Sequence, residues 1–307
     1  MRHAALTPVL LLAAGLAVAA DKNEVITQSF PAAPGKVVLV DAGALDLFVR
    51  AADIPEIRVH VELAAGAFKA AQAKHWVDSH RPTFEDSEGQ LRIYAPDPGG
   101  IKLFKGVVVS RARMEVVLPL SVRPDLSTTS STMRVEGEFA EARPLRLRSA
   151  AGNIELVGWA PEVEIRTTSG NAVLQASRAF ERLLARTASG MVTLTGGART
   201  VRCATSSGAV SLAGLLGPLS VVTTSGDQTL SFDAIPPDAE VRLTSASGRI
   251  RLTLPPGTQP GGEVASVRGE IRSVYPGIAP ANEPRLKLSG SAPRLTINTP
   301  SGKIELL

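Results

Sequence analysis

The sequence has little from which to build reactive chemistry. Cysteine occurs once, at Cys203, which excludes a disulfide framework, a cysteine-based zinc site and an iron–sulfur cluster. Aromatic residues are 4% of the 307, too few for a base-stacking surface or an aromatic sugar platform. There are four histidines, and neither sign of charge dominates: 33 Lys and Arg stand against 29 Asp and Glu, a net +4. A dedicated nucleic-acid binder concentrates basic charge on one face, so that class is set aside. Beyond residue 20 no run of 18 uninterrupted apolar residues occurs, and no membrane span is expected. Apolar residues still make up 44% of the chain, enough for a large core and too many for global disorder.

What is present begins with an address. Residues 1–20, MRHAALTPVLLLAAGLAVAA, carry a basic start at Arg2, an apolar stretch and then small residues. This is the pattern of a secretory signal peptide, with Val18-Ala19-Ala20 as the expected cleavage tripeptide before Asp21. No cysteine follows the apolar stretch, so a lipoprotein anchor has no attachment site. The mature chain is expected to be exported, to the periplasm, the cell surface or the medium. Lack of disulfides is compatible with that address if the fold is stable without them.

From about residue 125 the chain repeats itself. The phrase Ser/Thr-x-Ser-Gly-x-apolar-x-Leu recurs as SAAGNIEL, TTSGNAVL, TASGMVTL, TSSGAVSL, TTSGDQTL, SASGRIRL, SVRGEIRS and TPSGKIEL. Its glycines are 152, 170, 190, 208, 226, 248, 269 and 302, with intervals of 18, 20, 18, 18, 22, 21 and 33. A near-constant interval of this length marks a repeat array. After the glycine, Leu156, Leu174, Leu194, Leu212, Leu230 and Leu252 alternate with mostly polar neighbours. Before it, Leu147, Ile165, Ala185, Cys203, Val221 and Leu243 form another apolar column. Period-two alternation on both sides means strand, corner, strand.

The corner glycine is expected to turn the chain through positive φ. Three residues earlier stands a hydroxyl in every copy, from Ser149 to Thr299, placed to bond the corner backbone. The 33-residue interval holds YPGIAPANEP, read as a lateral insertion. Residues 21–124 are also β-rich, except that GAFKAAQAKHWVDSH predicts a short helix near 67–78. Phe68, Ala71, His75 and Trp76 fall toward one side of it, and its expected role is to cover open strand edges. The fold class expected is all-β: a parallel β-solenoid over 125–307 with coils of about 20 residues. The β-rich cap of 21–124 carries the one helix and is expected to be continuous with that solenoid.

The runs GKVVLVDAGALDLFVRAAD and MEVVLPLSVRPDLSTTSSTMRVEG, the TSG corners and the closing LTINTPSGKIELL resemble the bacterial "putative adhesin" domain family. The resemblance covers nearly the whole mature chain. It implies an exported protein with a β-solenoid-like fold, and brings no catalytic residues to carry over. This chain departs from the pattern at Ala151 and Arg268, in the serine column, and in its final insertion.

Candidate chemistry was weighed against scaffold. His75, Asp78 and His80 offer nitrogen and carboxylate, but the five-residue histidine spacing is not that of a helical zinc site. A solvated helix end is expected there, and an outward His60 on a strand. Ser189 and Ser207 repeat without a fixed base and are read as corner residues. A polysaccharide lyase on such a fold needs clustered carboxylates and a basic proton acceptor. Glu155, Glu164, Asp227 and Glu270 occupy different columns, and Glu155 shares its column only with the distant Glu305. No enzyme, metal or cofactor is expected. Arg148, Arg166 and Arg186 each stand four residues before a corner glycine, in an outward column. Stacked, they would form a ladder suited to anionic glycan or phosphate, since guanidinium makes forked bonds to such groups. Two functions remain: an adhesin-like module binding an envelope glycan or protein, and an envelope scaffold.

Overall fold

The computed structural model describes residues 20–99, 106–279 and 284–307. Residues 1–19 of the expected signal peptide lie outside the described residues, and Ala20 opens the first strand, Ala20–Pro31. The chain is mostly β; the described residues form two long sheets of 13 and 14 strands and one helix, Ala70–Ser79. Each repeat gives one strand to each sheet. Leu145–Ser149, before the corner, lies in the 14-stranded sheet, and Ile154–Trp159, after it, lies in the 13-stranded one.

Neighbouring repeats pair in parallel and in register: Leu147 with Ile165, Ile165 with Ala185, Ala185 with Cys203, and so on through Leu243. The other sheet pairs Leu156, Leu174, Leu194, Leu212, Leu230 and Leu252 in turn. All six leucines are at most 1% exposed, so the column inferred from alternation is the interior. Both inner faces belong to one buried cluster that runs from Val38 to Leu306.

The corners differ from expectation in one respect. None of the corner glycines has positive φ; that conformation belongs to Gly158, Gly196, Gly214 and others outside the motif. The reason for glycine is instead close approach. A Cβ on Gly170 would fall inside the carbonyl oxygen of Gly152, and one on Gly190 inside that of Gly170. Gly208, Gly226 and Gly248 repeat the relation, each against the glycine one repeat earlier. A column of bare backbone is therefore needed at the edge of the stack.

The hydroxyl column acts as expected in most corners, although the buried Ser149 hydroxyl makes no hydrogen bond among the described residues. Gly170 N donates to Thr167 Oγ1 at 3.0 Å, Gly190 N to Thr187 at 2.9 Å and Gly208 N to Thr205 at 3.0 Å. Buried amides that turn away from both sheets thus find acceptors. Thr223 departs because Gln228, 1% exposed, fills a column that is otherwise apolar. The Gln228 amide donates to Thr223 Oγ1, and the Thr223 hydroxyl turns to donate to the Gly226 carbonyl.

Stacking order departs from chain order at both ends. The strand Val37–Asp41 lies between Arg123–Thr128 and Gln90–Tyr94, and Asp46–Ala52 lies between Met133–Glu138 and Val107–Pro119, so strands that come later in sequence stack outside earlier ones. At the other end the last strands, Arg294–Thr299 and Ile304–Leu306, insert between the segments 240–253 and 259–273. Corner Gly302 accordingly stacks on Gly248, and Gly269 on Gly302. Every repeat presents the same columns, so the last one fits as well in the middle as at the end.

The helix lies against the three outermost strands of the 13-stranded sheet at the N-terminal end. It buries Ala73, Trp76 and Val77, a stripe at helical spacing, and leaves Phe68, Ala71 and His75 exposed, so only Trp76 of the expected face is buried. Lys22, Glu24 and Gln28 on the edge strand share the face of Ala65, Leu63 and Val59. Charge turned toward the core face discourages edge-to-edge growth. Arg81, just past the helix, holds Glu24 at 2.7 Å.

An ion-pair network clamps the inserted repeat. Glu305 accepts from Arg251 of one neighbour at 2.7 Å and from Lys303 at 3.0 Å, while Lys303 and Arg272 both reach Glu270 of the other neighbour. Hydrogen bonds from Lys303 and Arg251 hold the Glu305 carboxyl down at about 2, against an ordinary 4.5. A carboxyl depressed by folding favours the folded state above its unfolded value. That contribution is therefore full above pH 4.5 and disappears as pH falls toward 2. Hydrogen-exchange protection of residues 294–306 is expected to decline across that window, and Glu305→Gln should abolish the Glu305 part of the decline. Equal pH dependence in both chains would refute the clamp.

Candidate functional site

The outward columns of the 14-stranded sheet carry the candidate site. Side chains alternate along each strand, so the residues four and six positions before each corner glycine point to solvent while those at five and seven are buried. The position at four places Arg148 opposite Arg166 and Arg166 opposite Arg186, all exposed. The three arginines therefore do form one row across consecutive strands, spaced by about 4.8 Å. The next member of the row is Ala204.

Their surroundings are unequal. Arg148 binds Asp125 at 3.0 Å, and Arg166 binds Glu164 at 2.6 Å. Arg146 lies between those acids, 3.4 Å from Glu164 and 4.0 Å from Asp125. One strand further on, Leu184 takes the place of the acid, opposite Glu164 on one side and Arg202 on the other. Among the described residues no ion pair involves Arg186 or Arg202. A groove of about 340 Å³ is lined by Arg182, Leu183, Leu184, Arg186, Thr200 and Arg202. A second groove, of about 420 Å³, shares Thr200 and Arg202 and continues to Ser220 and Arg242. The position six before the glycine, which holds Arg146, Arg202 and Arg242, was the signal for these further arginines.

The other sequence candidates are dispersed. His60 points outward, 3.3 Å from Glu62. Asp78 pairs with Lys74 at 2.5 Å and Arg81 at 3.4 Å, and the Lys74 ammonium lowers its pKa. His80 is buried, not solvated as expected, because its ring stacks on Trp76 with centroids 4.0 Å apart. Its Nδ1 donates to the Trp76 carbonyl at 2.7 Å. His75, Trp76 and His80 border a cavity of about 530 Å³ between the helix and residues 97–99. Among the described residues no three His, Cys, Asp or Glu side chains form a group able to hold a metal.

Ser189 and Ser207 donate to the carbonyls of Thr168 and Ala188 one repeat earlier. Glu155 is paired with Arg134, Glu270 with Arg272, and Asp227 accepts from the Arg249 amide. Burial pushes the Cys203 thiol up to about 12, which leaves it without thiolate at neutral pH.

No family model and no curated protein matches the chain. Solved structures do. A "putative adhesin" from Parabacteroides merdae ATCC 43184 has 11% identity and a TM-score of 0.48, with 92% of this chain and 96% of that chain covered. A "putative adhesin" from Parabacteroides distasonis ATCC 8503 has 13% identity and a TM-score of 0.45, over 92% and 97%. A "putative lipid binding protein" from the same organism has 14% identity and a TM-score of 0.39, over 92% and 94%. Chains called adhesins from several bacteria are thus similar to this one. Identities of this size say nothing of a shared ligand. No helix among the described residues is long and apolar enough to cross a membrane.

Proposed function

We propose that the chain is an exported, non-enzymatic binding module: a parallel β-solenoid whose arginine-bearing face holds an anionic envelope glycan. In-register pairing of successive repeats supports the solenoid, since each repeat adds one strand to each wall. The observation that carries the binding role is the outward face of the 14-stranded sheet, on which exposed arginines recur on neighbouring strands and Arg186 and Arg202 have no acid partner among the described residues. A rigid parallel wall repeats a guanidinium at the strand spacing, and an extended polysaccharide repeats its own charge at intervals of similar length. Forked donors on a fixed frame lose little entropy when such a chain binds. The secretory pattern of residues 1–20 is consistent with a place in the periplasm or at the cell surface.

The test uses the full chain, immobilised, with polygalacturonate, dextran sulfate and neutral dextran as probes. Both acidic polymers should be retained and the neutral one not. Retention should fall steeply between 0.15 M and 1 M salt, as the screening length drops from about 8 to about 3 Å. Equal retention of dextran, or no retention of either acid, would overturn the reading.

A further inference from the structure

Resting on that reading, we infer that the binding centre is the pair Arg186 and Arg202, with the grooves on either side of Arg202, rather than the arginine row as a whole. A guanidinium already engaged by carboxylate is largely neutralised and has fewer free donors, so it holds an anionic ligand less well. Arg148 and Arg166 are engaged in this way, by Asp125 and Glu164. Among the described residues Arg186 and Arg202 are not, because Leu184 interrupts the run of acids.

The two stand on adjacent strands, offset by two residues, so their heads lie diagonally across Leu184. Arg202 borders both grooves, and Arg186 borders the smaller one with Arg182. Arg182 is half committed, 3.6 Å from Glu162. The acids resume at the far wall of the second groove, where Glu240, one of its lining residues, holds Arg242 at 3.0 Å. Arg92, Arg123 and Arg294 on the same sheet likewise have no ion pair among the described residues, but they stand apart toward its ends, whereas Arg186 and Arg202 stand together on adjacent strands in its middle.

The occupant is an oxyanion-bearing glycan lying along the stack. Strands repeat at about 4.8 Å, close to the length of one pyranose unit in an extended chain, so successive sugars meet successive repeats. Leu184 offers an apolar patch for a ring face between the two charges. Neither groove has an aromatic side chain for stacking a base, which disfavours single-stranded nucleic acid.

Two double variants separate the possibilities: Arg186→Ser with Arg202→Ser, and Arg148→Ser with Arg166→Ser. All four side chains are exposed, and melting temperatures confirm that each variant folds. Affinity for polygalacturonate and dextran sulfate is read by calorimetry at fixed salt. The first pair should weaken binding about a hundredfold, at about tenfold per charge-assisted contact. The second pair should change it less than about threefold, since each of those contacts already has a competitor. Arg202→Lys should keep the charge yet lose part of the affinity with the fork.

Loss that follows Arg148 and Arg166 instead would overturn this centre and leave the anionic-glycan function intact. No binding by the unaltered chain would overturn both. Tighter binding of single-stranded DNA than of either glycan would replace the occupant.

Discussion

Gly190→Ala is expected to destabilise the protein by about 3 kcal/mol or more, read from urea denaturation. The direction is diagnostic. Where a glycine has ordinary φ and free space, alanine stabilises by about 0.4–1 kcal/mol, because it reduces the entropy of the unfolded chain. Gly190 has ordinary φ but no space, since its Cβ would enter the Gly170 carbonyl and crowd Thr187 Oγ1. To relieve that contact two repeats must separate at the corner, where the sheets on both sides hold them in register. Gly257 is the opposite case, with φ of +82° and nothing within 4 Å of an added Cβ. Asparagine tolerates that conformation and should be accepted better than alanine at Gly257, whereas at Gly190 it should be no better. A neutral or stabilising Gly190→Ala would remove close approach as the reason for the corner glycine.

Ending the chain after Pro293 should have the larger effect. The deleted strands bury Leu295, Ile297, Ile304 and Leu306, each at most 1% exposed. At about 1.5–3 kcal/mol for each buried side chain, the loss is about 6 kcal/mol or more, comparable with the whole stability of many domains. Its location matters more than its size. Residues 259–273 stack on the inserted repeat and not on 240–253, so they should lose hydrogen-exchange protection although none of them is deleted. The central repeats from 145 to 232 should keep theirs, because interactions in such arrays are with nearest neighbours. Protection of 259–273 in the shortened chain would show that this segment can close directly onto 240–253.

The interior and exterior columns were legible because two periods coincide in the sequence. Alternation by two assigns a side chain to a face, and the glycine interval assigns it to a register. Together they placed Leu194 inside and Arg166 outside without knowledge of the sheet. The same pattern also concealed something. Glycine at a corner fits positive φ and backbone contact equally well in one repeat, and only the neighbouring repeat, which supplies the Gly170 carbonyl, distinguishes them.

Charge pairing was hidden for a related reason. Arg148 and Arg166 look alike in the sequence, yet only Arg148 finds its acid through the strand pairing, in Asp125 from 23 residues earlier, while Arg166 uses Glu164 two residues back on its own strand. The identity of the uncompensated arginines depends on Leu184, an unremarkable residue until it is seen opposite Glu164 and Arg202.

Local patterning thus specifies that strands form, which face is buried and which repeats can stack, since each depends on residues close in the chain. It does not specify the order of stacking, because interchangeable surfaces carry no order. Placement of 37–52 inside the later strands Gln90–Tyr94 and Val107–Pro119, and of 294–306 inside 259–273, is decided only when the whole stack closes. There the buried columns must be filled and Glu305 must meet cations from both the preceding repeat and its own.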